Sequence, residues 1–408
     1  MNGETKFKQT EIGMIPEDWK TKKVGDIFNV KNGKTNTQDA IEDGKYPLFD
    51  RSTEIKRSNK FLFDSEAIIV PGEGKEFIPR YFNGKFDLHQ RAYSITPKDN
   101  SFHLKFFFYA ILQFKDYLTR IAVGSTVRSL RLNHLTDFPV PVPTLSEQQA
   151  IAKILSDLDS KIELNQQMNK TLEAIGQALF KHWFIDFEFP NEEGKPYKSS
   201  GGEMVESELG EISKGWKIST IGGEFKTILG GTPSTEHKEY WCDGTIPWIN
   251  SGKVNEFRII EPSTYITKEA LESSATKLMP AKTTVIAITG ATLGQVSRLE
   301  IESCGNQSVV GVIESEKIFS GYVYFLIKFN IDKLISHQTG GAQQHINKNN
   351  INDLPIIIPD EKILNRFKQI IVPIFTKISN NCFSNKDSSE IRDNLLPKLM
   401  SGKIRVPI

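Results

Sequence analysis

The sequence predicts an α+β chain built from two similar halves, each an α+β domain followed by a long helix, with the two helices pairing as a coiled coil. Three observations carry this prediction: an apolar seam after residue 146, its return 216 residues later, and a second repeat at the start of each half.

The stretch from Ser146 to about Phe187 holds no proline and a single glycine, Gly176. Ile151, Leu155, Leu158, Ile162, Asn165, Asn169, Leu172, Gly176, Leu179 and Trp183 follow one another at alternating steps of four and three. That spacing marks a coiled-coil seam. Ser146 is the expected N-cap, with Gln149 at the capping-box position. At 1.5 Å per residue the helix spans roughly 60 Å.

Such a seam needs a partner. A shift of 216 places Phe367, Ile371, Ile374, Ile378, Asn381, Asn385, Leu395 and Leu399 under Ile151, Leu155, Leu158, Ile162, Asn165, Asn169, Leu179 and Trp183. Pro373 is expected to kink the second helix or mark its start, and Ser388 and Arg392 weaken its far half. Either copy alone also fits an ordinary long core helix; the recurrence of both asparagines argues for pairing. Asn165, Asn169, Asn381 and Asn385 are read as register-setting amides, the alternative being that they face water at a bend.

The domain edges repeat as well. Residues 12–33 lie over 209–230 at an offset of 197, with Gly13/Gly210, Ile15/Ile212, Trp19/Trp216, Lys20/Lys217, Gly25/Gly222, Phe28/Phe225 and Gly33/Gly230 identical. Before each helix the offset is 216, matching Asp137/Asp353, Pro139/Pro355 and Pro143/Pro359. The second copy therefore carries 19 more residues, and the interiors do not align by eye. The expected organisation is a first domain at 1–143, a long helix at 144–188, a Gly/Pro/Ser-rich linker at 189–206, a second domain at 207–360, and a second helix with a C-terminal segment at 361–408.

Within the domains, short β-branched runs at Ala67–Val70, Tyr93–Ile95, Val140–Val142, Thr284–Ile288, Val309–Ile313 and Ile356–Ile358 predict strands. Helices are expected at Leu104–Tyr117 and Tyr322–Ser336.

Composition excludes little. The 408 residues are 38% hydrophobic and 25% charged, with 51 Lys and Arg against 50 Asp and Glu, so any basic surface must be local. Cys242, Cys304 and Cys382 fit no metal-ligand spacing and cannot all pair, which favours a reducing compartment. The polar N-terminus is unlike a signal peptide and no apolar run reaches membrane-spanning length, so a cytoplasmic location without membrane contact is expected.

Catalytic motifs are missing. The sequence has no Asn-Pro-Pro-aromatic or Asp-Pro-Pro-aromatic motif, GxGxxG after a strand, Walker loop, HExxH or GxSxG. GATLG at Gly290–Gly294 reads as a β-turn between strands. Glu73 and Glu76 near basic residues resemble nuclease sites only as far as any charged sequence does.

Recognition is better represented. Tyr117–Thr136 carries Arg120, Arg128 and Arg131 without an acid, and the matched stretch Leu334–Asn352 carries Gln343, Gln344, His345 and Lys348 among other amides. Arginine suits the guanine edge and Asn or Gln the adenine edge, and both types contact phosphates. Further DNA-binding candidates in the first half are Arg51, Lys56, Arg57, Lys75, Arg80, Gln90 and Arg91. The second half offers Asn250, Ser251, Lys253, Thr292, Gln295, Asn306 and Gln307, with Ser308 beside them. No residue is assigned a catalytic or metal-binding role.

IPEDW with VGDIF, the helix LSEQQAIAKILSDLDSKIELNQQMNKTLEAIGQALFKHWFIDFE, then LGEISKGWK, GGTPSTEHKEYW, GTIPWINSG, TGATLGQV and NQSVVG follow one another in an order that resembles the specificity subunit of type I restriction-modification systems. VPGEGKEF with FDLHQRAY is similar to one subtype of its recognition domain, and NLLPKLMSGKIRV to its C-terminal segment. The resemblance covers nearly the whole chain. It implies two target-recognition domains held apart by two antiparallel helices, each reading one half of a bipartite site in double-stranded DNA. It also implies that two methyltransferase subunits pack on the assembly and methylate adenine N6 with S-adenosylmethionine, and that restriction subunits using ATP and Mg join. Catalysis and cofactors then belong to the partners, none to this chain.

Identical reading heads meet palindromes; heads that share edges but differ inside imply an asymmetric, interrupted target, with the helices setting its spacer. The aromatic cluster Phe180, Trp183, Phe184 and Phe187 has two readings, docking against the next domain or a methyltransferase-binding surface. Three other functional readings stay in view: a self-sufficient modifying enzyme, disfavoured by the missing motifs; a two-headed DNA-binding regulator; and the reader of a different modification system without restriction subunits.

Overall fold

The computed structural model describes residues 5–336 and 345–407. The chain forms two compact units, the first of residues 1–162 and 387–408 and the second of residues 163–386.

In the first unit, β1 (Phe28–Asn32), β2 (Tyr46–Phe49), β3 (Lys56–Ser58), β4 (Phe63–Pro71), β5 (Arg80–Leu88) and β6 (Ala92–Pro97) form one sheet in the order β1-β6-β4-β5-β2-β3. Only the β2–β5 pair is parallel. The run Ala67–Val70 is apolar at every position because both faces of β4 are covered. Ile68 and Val70 pack with Ile95 and α1 (Leu104–Gln113), while Ala67 and Ile69 pack with Phe49, Phe86 and Leu88. The expected Leu104–Tyr117 helix breaks at Phe114, and a second helix runs from Lys115 to Ile121.

α2 (Leu145–Phe180) follows. Its cap is Thr144 rather than Ser146: the Thr144 hydroxyl accepts the Glu147 N–H at 3.3 Å, and its carbonyl accepts the Gln148 N–H. Glu147 is thereby freed for a different task, accepting from Trp19 Nε1 at 3.0 Å and from Arg405 Nε at 2.7 Å inside the first unit.

The second unit repeats the first sheet with one break. β7 (Lys226–Leu229), β8 (Ile246–Ile249), β9 (Thr264–Ile266), β10 (Leu278–Met279), β11 (Thr284–Ala287), β12 (Val296–Arg298), β13 (Ser303–Gly305) and β14 (Val309–Ile313) make two four-stranded sheets, β7-β14-β11-β12 and β9-β8-β13-β10. Where β5 is continuous, β12 and β13 are separate. α3 (Ser320–Ser336) covers the core, and α4 (Glu361–Met400) closes the chain.

The repeated edges pair with each other. Lys20–Lys23 runs antiparallel to Pro139–Val142, and Lys217–Thr220 to Pro355–Ile358, in the same register.

α4 begins at Glu361, capped by the Asp360 carboxylate, which accepts the Ile363 N–H at 2.9 Å. Pro373 therefore does not mark its start. The helix runs through it because the carbonyl of Gln369, which proline leaves without a donor, lies on an exposed turn open to water.

The two long helices pair antiparallel within each unit. In the first, Ile151, Ala152 and Leu155 near the start of α2 pack with Leu396, Leu399 and Met400 near the end of α4. In the second, Phe180 at the end of α2 and Trp183 and Phe184 just after it pack with Ile363, Phe367 and Ile371 near the start of α4. These aromatics are buried with Trp216 and Tyr322 in the second core. They serve as docking groups against the second core.

Residues 189–206, the expected linker, carry local structure of their own. Phe189 stacks on Tyr197 and Trp216, Tyr197 N–H donates to the Phe189 carbonyl, and Met204–Val205 pairs with Ile212–Ser213.

Candidate nucleic-acid interface

Each unit carries a polar rim where the parallel strand pair meets the central hairpin. In the first unit β2 and β5 align Leu48 with Asp87 and Phe49 with Leu88, so Asp50 and Arg51 leave one strand beside His89, Gln90 and Arg91 leaving the other. Gly33 passes across this junction. A Cβ there would lie 1.9 Å from the Leu88 carbonyl oxygen, so glycine is required.

The centre of the rim is Glu73. Arg51 Nη1 donates to its Oε2 at 2.7 Å and Arg91 Nη1 to its Oε1 at 2.6 Å, while Glu73 itself is only 14% exposed. The surrounding cleft, about 610 Å³, is lined by Asn36, Thr37, Gln38, Arg51, Glu73, His89, Gln90 and Arg91. Gln90 Nε2 donates to Asn36 Oδ1 at 2.6 Å, and the Arg91 N–H donates to His89 Nδ1 at 3.0 Å. Burial holds the His89 imidazole below its ordinary pKa, with Asp50 opposing and Arg51 adding to the effect. A neutral ring is what the Nδ1 acceptor role needs. Burial pulls the Asp50 carboxyl upward, but Lys56 and Ser52 hydrogen bonds outweigh it and leave the group below the usual range.

The remaining first-unit candidates divide by what holds them. Lys56 is bound to Asp50 at 2.8 Å. Arg57 donates to the Gly44 and Lys45 carbonyls, and Arg80 to the Ser52 carbonyl at 2.7 Å; both fix loop backbone. Arg128 pairs across from Gly74, which brings it to the rim, and donates to the Thr119 carbonyl. Lys75 is exposed beside Gly74, and Arg131 precedes the short helix Leu132–Thr136, its N–H donating to His134 Nδ1.

The second unit has the same junction. β8 and β13 align Trp248 with Cys304 and Ile249 with Gly305, which makes Asn250 equivalent to Asp50, Ser251 to Arg51, Asn306 to His89, Gln307 to Gln90 and Ser308 to Arg91. β11 and β14 align Ala287 with Val309 as β4 and β6 align Pro71 with Ala92, which makes Thr289 equivalent to Glu73. His345 bridges to Thr289 as Ser129 pairs with Glu73, and the N–H groups of Ile346 and Leu130 donate to the carbonyls of Ile288 and Gly72. Gly230 repeats Gly33: a Cβ there would lie 2.2 Å from the Asn306 carbonyl oxygen. Equivalent residues are 197 apart at Gly33/Gly230, 200 at Phe49/Ile249 and 216 at Pro71/Ala287, so most of the extra residues lie between β8 and β11.

The chemistry of this second rim differs. Thr289 Oγ1 donates to Ser308 Oγ at 2.7 Å, Thr232 Oγ1 donates to Gln307 Oε1, and Asn306 Oδ1 accepts the Ser308 N–H at 3.1 Å. Asn250 caps the turn Ser251–Asn255 through the Lys253 N–H. Lys253, 14% exposed, is tied to Glu256 at 2.7 Å and Glu261 at 3.5 Å. Thr292 and Gln295 sit on the turn between β11 and β12, where Gly290–Thr292 form a 3₁₀ turn and Thr292 donates to the Thr289 carbonyl. Lys348 opens the short helix Lys348–Asn352 behind His345. Gln343 and Gln344 lie outside the described residues.

Sequence reasoning missed Asn36, Thr37, Gln38, Glu73 and His89 as rim residues. For Glu73 the available signal was its place in PGEGKEF, between glycines that let the backbone turn. Among the described residues no three His, Cys, Asp or Glu side chains gather as metal ligands, and no helix is long and apolar enough to cross a membrane.

The helix asparagines meet in pairs. Asn165 Nδ2 donates to Asn385 Oδ1 and Asn381 Nδ2 to Asn169 Oδ1, both at 2.8 Å, while Asn169 Nδ2 lies 3.5 Å from Cys382 Sγ. Burial pushes the Cys382 thiol up to about 11.

Residues 16–174 and 213–392 match the sequence profile of the type I restriction modification DNA specificity domain. The chain is 30% identical over 432 residues to the specificity subunit of the type I restriction enzyme MjaIX of Methanocaldococcus jannaschii, covering 99% of this chain and 97% of that one. It is 26% identical to the HindI specificity subunit of Haemophilus influenzae, covering 95% and 100%. Its fold is similar to the crystal structure of a type I system S subunit from M. genitalium, with a TM-score of 0.64, 18% identity and coverage of 97% and 98%.

Proposed function

This chain belongs to the type I restriction modification DNA specificity family, and from that premise we propose that its two units read the two halves of an asymmetric, divided site in double-stranded DNA. In this reading the chain performs no chemistry. It directs two methyltransferase subunits, which supply S-adenosylmethionine and methylate adenine N6, and restriction subunits that bring ATP and Mg, all in the cytoplasm.

The observation that carries the asymmetry is the equivalence of the two rims. One scaffold presents Arg51, Glu73 and Arg91 in the first unit and Ser251, Thr289 and Ser308 in the second. Arginine forks favour guanine, whereas hydroxyls donate or accept and serve either kind of base edge, so the two rims favour unlike half-sites. Helices that each run through both units, 36 and 40 residues long, are suited to set the number of unread base pairs between the halves.

Mapping modified adenines in cells with and without this chain, its methyltransferase partner present in both, tests the proposal. The expected result is one divided motif with unlike halves and a fixed spacer, absent without the chain. A palindromic or undivided motif would overturn it. Lengthening both helices equally should change the spacer and leave the halves alone; altered halves with an unchanged spacer would contradict that role.

A further inference from the structure

We infer that Arg51 and Arg91, held by Glu73 as a shared positioning residue, read a guanine in the half-site of the first unit, and that the second unit reads none from the equivalent positions. The inference rests on the proposed function and deepens it.

Glu73 spends both carboxylate oxygens on the two guanidinium groups, one on each. With a guanidinium on each oxygen and only 14% of the side chain exposed, the carboxylate is better placed to orient the arginines than to reach a cytosine amino group. Each arginine commits one Nη. Their other donors, on side chains 51% and 59% exposed, meet no acceptor among the described residues. A guanidinium fork fixed at one prong and open at the rest is prepared for the paired acceptors N7 and O6 of guanine.

The backbone beneath is equally fixed. The Gly72 N–H donates to the Arg91 carbonyl at 2.8 Å, and the Arg91 N–H is taken by His89. Glu73 is itself paired across from Ser129. Two arginines against one carboxylate leave one net positive charge at the cleft, which suits the electronegative guanine edge. In the second unit Ser251, Ser308 and Thr289 stand in these places, and Thr289 and Ser308 satisfy each other. That rim offers no fork.

The test uses the complex of this chain with its methyltransferase partner and duplexes in which each base pair of the mapped motif is changed in turn. Replacing both arginines with the residues found in the second unit, R51S with R91S, should reduce discrimination at a G·C pair of one half-site by about 5- to 150-fold. The other half-site should read as before. The isosteric E73Q, which keeps the shape of the rim, should loosen discrimination at that same pair without changing the salt dependence of binding. A uniform loss across all positions, with a salt slope lowered by about one per arginine, would make these groups phosphate contacts and overturn the assignment. So would unaltered discrimination at every G·C pair. A wild-type complex that marks no divided motif would remove the functional reading and this assignment together; a divided motif with either of the former results removes the assignment alone.

Discussion

Glu173 on α2 accepts from Arg258 Nη2, the Tyr324 hydroxyl and Lys328 Nζ, each at 2.8 Å, and from Gln177 Nε2 at 3.3 Å. Burial raises its carboxyl, yet the charges of Arg258 and Lys328 prevail and keep it below the usual range. Replacing Glu173 with alanine leaves the fully buried Arg258 side chain, whose Nη1 also bonds the Phe257 carbonyl and the Tyr324 hydroxyl, with Glu300 as its one carboxylate among the described residues, 3.5 Å from its Nε and already bound by Arg298 at 2.5 Å. Two buried guanidinium groups would then share one carboxylate. Removing one partner of a buried pair costs about 3–5 kcal/mol, and the Tyr324 O–H, which keeps Arg258 and Lys328 as donors but loses its acceptor, adds about 1 kcal/mol. The urea midpoint of the second unit, followed by tryptophan fluorescence, should fall by about 1 M or more. The double variant E173L/R258M, which removes both charges, should recover most of the loss. An E173A protein whose midpoint shifts by less than about 0.3 M, or a double variant worse than E173A, would refute this account of the network.

Three further expectations concern other parts of the chain. Burial keeps His89 and His103 below the ordinary imidazole value of 6.5, so the unfolded chain takes up protons that the folded first unit refuses. The stability this protects is whole above about pH 6.5 and lost as pH falls below it. Thermal melting between about pH 7.5 and 5.5 should show that loss in the wild type and less of it in H89Q/H103Q; parallel curves would rule it out. G176A should destabilise the second unit by about 1 kcal/mol despite alanine's helix propensity, because its Cβ would lie 2.5 Å from the Phe325 ring; a raised denaturation midpoint would show that the ring gives way freely. Leucine at Asn165, Asn169, Asn381 and Asn385 should keep or raise the unfolding midpoint but yield more than one helix alignment, seen as mixed spacers in adenine mapping. A single species marking the wild-type motif would show that these amides do not set register.

The long helices were legible because burial imposes a period on residue type: Ile151, Leu155, Phe367 and Ile371 are apolar for the same reason that they are hidden. The domain edges were legible because Trp19 and Trp216, with their ribbons, are built from matching residues. The interiors were not, since what they share is hydrogen bonding between backbones. Leu88 and Gly305, or Glu73 and Thr289, have nothing in common as side chains. Local rules misplaced the start of α2, where Thr144 lies in a better position to cap than Ser146, and overrated Pro373, whose lost bond falls on a wet face. Glu73 was seen beside basic residues and discounted, because a carboxylate among arginines has no sequence signature distinguishing an organised clamp from chance.

The matching joints at Gly33 and Gly230, and again at Leu130 and Ile346, bound the part of each unit that varies. Outside them the two halves keep the same strand register and a scatter of identical residues; between them length, charge and sheet continuity all drift. The intervening stretch is thus an exchangeable cassette with its splice points already marked by backbone bonds. Residues between these joints can change while the paired ribbons outside them stay as they are.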